Sequence, residues 1–156
     1  MKKSYLSLLL CLALLAGMLT VCRSAGAALG SSADSLAKDR TALSARQRST
    51  LTRTGYTVQE MESDATVVRE YISPSGVVFG IAWDGLIHPD LSALLGSYAS
   101  QYRDALKHTP RKPGRRRHQV LTEKLVVEKW GHMRNLQGRA YAPALIPPGV
   151  SIDDIR

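Results

Sequence analysis

Between Tyr56 and Trp83 the chain carries three runs of β-branched and aromatic residues separated by short turn-formers, and that spacing commits it to an antiparallel sheet. Tyr56–Met61 and Thr66–Ile72 flank Glu62-Ser63-Asp64, which predicts a hairpin. Ser73-Pro74-Ser75-Gly76 then reverses the chain, because proline pre-sets the first central turn position and glycine tolerates positive φ. In the strand that follows, Val77, Phe79, Ile81 and Trp83 alternate with Val78, Gly80, Ala82 and Asp84. The large face is expected in the core, and the small face fits beneath a close neighbour.

After Asp84-Gly85, the residues His88-Pro89-Asp90 open a helix expected over 90–107, with proline in its first turn and an acid at the positive end of its dipole. Leu91, Leu94, Leu95, Tyr98, Tyr102 and Leu106 form one apolar stripe that must lie on the sheet. Lys107 and His108 suit the negative end, and Pro110 stops the helix. Val120–Trp130 returns to strand character. His132–Leu136 and Arg139–Ala142 then predict a second hairpin around Gln137-Gly138, and Pro143, Pro147 and Pro148 confine the remainder to an edge strand or extended tail.

The expected class is therefore α+β, an antiparallel sheet of about five strands packed by one long amphipathic helix. Upstream, Ser32 or Asp34 caps a short N-terminal helix through Leu36, Arg40 and Leu43 to about Arg48. Residues 28–54 read as this polar helical segment and 55–156 as a single α+β domain, with a basic loop at 109–119.

Residues 1–27 read as a cleaved signal peptide. Met1-Lys2-Lys3 is a basic start, Leu6–Val21 an apolar run, and Ala25-Gly26-Ala27 supplies the small-residue cleavage pattern. The apolar run is shorter than the roughly twenty residues a bilayer span requires, so no transmembrane segment is expected after cleavage. An exported protein, periplasmic or secreted, follows from this reading. The alternative is a lipoprotein anchored at Cys22, after Leu19-Thr20-Val21. No Arg-Arg pair marks the start, which favours translocation of an unfolded chain and argues against a complex cofactor. None is expected.

Cleavage after Ala27 removes both cysteines, Cys11 and Cys22, and with them disulfides, thiolate metal sites and cysteine nucleophiles. Loss of Lys2, Lys3 and Arg23 lowers the formal charge from +8 to +5. The remaining excess is concentrated: Arg103, Lys107, Arg111, Lys112, Arg115, Arg116 and Arg117 face only Asp104 in the same stretch.

Ala28-Leu29-Gly30, Val68–Phe79, Ala82-Trp83, Pro89-Asp90-Leu91, Leu94–Tyr98, Gly131–Arg134, Gly138–Tyr141 and Gly149-Val150-Ser151 together give a pattern that resembles a family of exported bacterial proteins known as a domain of unknown function (DUF2844). The resemblance spans nearly all of the chain after the signal and implies no activity, cofactor or catalytic residue.

The chain has no G-x-S-x-G elbow, H-E-x-x-H helix or glycine-rich phosphate loop, so no catalytic residue is assigned. An improvised hydrolase would pair His88 or His132 with Asp84, Asp90 or Glu70 and with Ser73 or Ser75, in a pocket walled by Trp83 and Trp130. Helix capping by Asp90, a serine turn and a solvated Glu70 account for the same residues. No metal site is expected: His132 and Met133 point to opposite faces of a strand, and His108 and His118 flank a basic loop that repels cations.

Arg111, Lys112, Arg115, Arg116 and Arg117 form the candidate anion-binding set, because guanidinium forks match phosphates and carboxylates. Nucleic acid is not expected, since no aromatic residues interleave with these charges. The function expected is a small non-enzymatic binding or interaction domain contacting an anionic lipid, lipopolysaccharide or acidic glycan. The alternatives are the hydrolase and a subunit of an envelope assembly with a protein partner.

Overall fold

The structure, a computed structural model, describes residues 29–32, 46–63, 65–109 and 116–156. The expected signal peptide, Cys22 included, and most of the expected N-terminal helix lie outside the described residues. Seven strands dominate: β1 (Arg46–Arg53), β2 (Tyr56–Glu62), β3 (Thr66–Ile72), β4 (Val78–Gly85), β5 (Arg117–Leu121), β6 (Val126–His132) and β7 (Asn135–Tyr141). Helices α1 (Leu91–Leu95) and α2 (Ala99–His108) join through a 3₁₀ turn at Gly96–Tyr98. All strand pairs are antiparallel in one sheet of order β1-β2-β3-β4-β7-β6-β5.

The expectation of an α+β fold with about five strands is thus corrected to a mostly β architecture with a single helical run. Two local events add the extra strands. First, Arg46–Arg53, including Arg48, pairs with β2 rather than extending a helix. The leucine spacing that suggests a helix ends at Leu43, and in Ser49-Thr50-Leu51-Thr52 two β-branched threonines favour the strand that a neighbouring strand captures. Second, Val120–Trp130 breaks at Thr122, whose amide and side chain both bond to Leu125 at 2.9–3.0 Å and fold the run into two strands, β5 and β6.

The last hairpin also shifts. It turns at Met133-Arg134, with Arg134 at φ 63, and β7 runs straight through Gly138. Gly138 is required there because a Cβ would fall on the indole of Trp83. A turn-forming residue by propensity becomes a mid-strand residue by packing.

On one face α1 and α2 cover Val68, Ile81, Trp83, Val127 and Ala140 with Leu91, Leu94, Leu95, Ala99 and Tyr102. Burial of each large aliphatic side chain stabilises the fold by roughly 1.5–3 kcal/mol. Leu29, fully buried, seals this face; its amide bonds to the Leu94 carbonyl at 3.0 Å, and Gly30 bonds to Val78 at 2.8 Å. Leu106, at the end of the expected stripe, is 37% exposed.

The second core lies on the opposite face, where the segment after β7 packs Ile155 against Tyr71, Phe79, Ala82, Val126 and Tyr141. A bulge places Ile72 opposite Val78 and Tyr71 opposite Gly80, so Phe79 is the extra residue and joins this second cluster instead of lining up with Ile81 and Trp83. Gly80 leaves the space that Ile155 fills, since a Cβ there would lie 2.8 Å from Ile155 Cδ1. The tail beyond Pro143 is extended with two 3₁₀ turns, Pro143–Leu145 and Ile152–Asp154.

Candidate functional site

On the face opposite the helices, polar residues of all seven strands form a charged stripe across the sheet. Arg69 on β3 donates from Nε to Glu60 Oε2 of β2 at 3.0 Å and from Nη1 to Asp84 of β4. Arg48 on β1 lies 3.6 Å from Glu60 and 3.7 Å from Glu62. Burial works against the charge on Arg69, yet Asp84 and Glu60 outweigh it and hold the guanidinium above its ordinary pKa.

Farther along, Glu128 on β6 is buried and takes three donors. Arg139 Nε reaches Oε2 at 2.6 Å, while Arg117 Nη2 and Gln119 Nε2 reach Oε1 at 2.7 and 3.0 Å. Burial opposes its charge, but the bonds from Arg117 and Arg139 prevail and keep this carboxyl below the usual glutamate range. Glu70, expected as a solvated strand residue, is instead fully buried on the helix face, opposite Gln59 and Ile81.

At the β1 end of the stripe a groove of about 250 Å³ opens, lined by Ser49, Leu51, Arg53, Tyr56, Val58, Glu60, Arg69, Tyr71, Asp154 and Arg156. Its far wall is the 3₁₀ turn Ile152–Asp154. That turn is closed by Ser151 and Asp154 in a reciprocal cap, with Asp153 N donating to Ser151 Oγ at 3.2 Å and Ser151 N to Asp154 Oδ2 at 3.0 Å. Tyr71 OH donates to the Arg156 carbonyl at 2.6 Å and accepts from its amide at 3.0 Å, pinning the tail across the sheet. None of this groove is apparent in the sequence, because 28–54 reads as a polar helical segment and the residues beyond Pro143 as an edge strand or extended tail with no partner assigned. The alternation in Ser49-Thr50-Leu51-Thr52-Arg53 is the signal that could have revealed its first wall.

The histidine and tryptophan candidates do not converge. By register Trp83 shares the helix face with Lys129, whereas Trp130 shares the opposite face with Gln137 and Asp84. His88 follows Trp83, accepting its indole Nε1–H at Nδ1 (2.9 Å). His132 is exposed at the β6–β7 hairpin, and Trp130 Nε1 donates to Gln137 Oε1 at 2.8 Å. The sheet therefore separates the expected pocket of His88, His132, Trp83 and Trp130 into two halves.

A general base needs a free lone pair, and the one on His88 is occupied by the indole. Burial, and then the charge of Lys129, lower its pKa below 6.5, so the ring is neutral at pH 7. Asp90 caps α1 by accepting from Ser92 N at 2.8 Å, and Ser73 and Ser75 bond to each other at 2.8 Å in the turn before β4. Among the described residues no group of three histidine, cysteine or acidic side chains is placed to hold a metal. Among them, too, no helix is long and apolar enough to cross a membrane.

Of the candidate anion-binding set, Arg111, Lys112 and Arg115 lie outside the described residues. Arg116 is exposed and makes no ion pair among the described residues, whereas Arg117 opens β5 and is committed to Glu128. Nearby on α2, Lys107 pairs with Asp104 at 2.8 Å, both exposed.

No curated protein and no solved structure matches this chain. A family model described as "Protein of unknown function (DUF2844)" matches residues 25–155, nearly the whole described fold, and the chain belongs to that family.

Proposed function

We propose that this protein is a non-enzymatic binding domain, exported by residues 1–27, that contacts an anionic envelope surface through the arginine-rich stretch 111–117. The observation that carries the reading is the contrast between neighbours. Arg117 is anchored to Glu128, while Arg116 beside it is exposed and without an ion pair among the described residues. Arg116 therefore sits one residue from a side chain tied to the sheet and offers a guanidinium group that makes no ion pair among the described residues. Clustered positive charge of this kind attracts anionic lipid headgroups within about a Debye length of the surface.

The test is sedimentation with vesicles of phosphatidylglycerol or of phosphatidylcholine at two salt concentrations. Arg111, Lys112, Arg115 and Arg116 are replaced together by serine, and Arg117 is left in place because it is paired with Glu128. The reading requires retention on phosphatidylglycerol that weakens with salt and disappears in the variant. Equal retention by the variant refutes it.

A further inference from the structure

The groove between β1–β3 and the 3₁₀ turn at Ile152–Asp154 has the composition of a ligand site, and it lies at the β1 edge of the sheet, opposite the β5 edge that Arg117 opens. Three arginine side chains and two side-chain carboxylates line it. The carboxylates are already engaged: Glu60 by Arg69 and Arg48, and Asp154 by the Ser151 amide. Arg69 is likewise committed, to Glu60 and Asp84. Arg53 and Arg156 are the remaining charges, both exposed and making no ion pair among the described residues.

The same groove also carries apolar surface. Leu51 is 50% exposed on a strand where every residue is exposed, and Val58 and Tyr56 continue its wall toward Tyr71. Tyr56 and Tyr71 rings sit 5.9 Å apart at 37°, giving the floor a fixed aromatic shape. The Tyr71–Arg156 hydrogen bonds hold the Arg156 backbone at the groove, so this arginine is delivered by a positioned segment.

We propose that this groove binds a small amphipathic monoanion, a carboxylate joined to a short apolar chain. The carboxylate is taken by Arg53 and Arg156, and the chain lies on Leu51, Val58 and Tyr56. The volume limits the ligand to a small one. A guanidinium fork binds a carboxylate through two parallel N–H···O bonds, and exposed apolar surface in the same groove gains from being covered.

The experiment is calorimetric titration of the purified protein with octanoate, 1-octanol and inorganic phosphate. Octanoate binding is expected, with affinity falling about tenfold or more in Arg53→Ser and in Arg156→Ser and recovering in part in Arg53→Lys. Octanol and phosphate are each expected to bind more weakly than octanoate. Both arginines are exposed, so unchanged far-ultraviolet circular dichroism is expected to confirm folding, and Arg53→Lys serves as the second variant. Absence of octanoate binding, equal binding by octanol or phosphate, or undiminished binding by both serine variants overturns the proposal. The serine variants at 111–116 are expected to bind octanoate normally, so failure of the surface reading and failure of this one are distinguishable.

Discussion

The indole Nε1–H of Trp83 donates to Nδ1 of His88 at 2.9 Å, so one buried tryptophan holds the histidine in the tautomer that carries its proton on Nε2. Burial and Lys129 both lower this histidine's pKa in the fold. The unfolded chain then takes up the proton more readily, and stability present above pH 6.5 is lost as pH falls through the folded value. Thermal denaturation between about pH 7.5 and 5 is expected to show a steeper fall in Tm for the native protein than for His88→Gln, whose amide oxygen can still accept the indole proton. Equal slopes would contradict this.

Glu128 gathers Arg139, Arg117 and Gln119 on a buried carboxylate. Glu128→Gln is expected to cost about 2–3 kcal/mol in urea denaturation, because it leaves Arg139, 17% exposed, beside an uncharged partner. Arg117→Ala removes a partner that is 63% exposed and is expected to cost under about 1 kcal/mol. Since the fold lowers the Glu128 pKa, its contribution is present above pH 4.5 and disappears as pH falls through the folded value. A Glu128→Gln variant is expected to lose that part of the acid transition.

Gly138 tests the register. Gly138→Ala drives a methyl group into the Trp83 indole and toward the Glu128 carbonyl at 2.7 Å. Trp83 is 1% exposed and has no free side to move into, so destabilisation of about 3 kcal/mol is expected, with a change in tryptophan emission. A neutral substitution would mean that β7 is not paired as described.

Tyr71→Phe removes both hydrogen bonds to Arg156 while keeping the ring in the second core. A loss of about 1 kcal/mol is expected, together with faster amide exchange over 151–156 measured by mass spectrometry. Unchanged exchange there would show that burial of Ile155 and the Arg139 bonds to the Ile152 and Ile155 carbonyls suffice to hold the tail.

Much of the sheet was legible along the chain. The turn at Ser73–Gly76, where Gly76 N bonds to Ser73 O at 2.9 Å, sits where proline and glycine placed it, and Leu91, Leu94, Leu95 and Tyr102 are buried as their spacing requires. β1 was missed because three positions at helical spacing upstream of it outweighed a threonine-rich run whose strand character needs a partner. The pocket expected around Trp83 and Trp130 was misjudged because proximity in sequence pattern says nothing about which face of a sheet each residue takes.

What the sequence by itself determined is therefore short-range: where β-branched runs alternate, where proline and glycine reverse the chain, where an apolar helical stripe begins, and where positive charge is concentrated. Only the tertiary structure decided the order β4-β7-β6-β5, the bulge that sends Phe79 to the second core, the partners of Glu128 and Arg69, and the meeting of Arg53 with Arg156 at one groove. Local preference acts over a few bonds. The face a strand residue takes depends on register with segments tens of residues away, and a one-residue shift there reverses it.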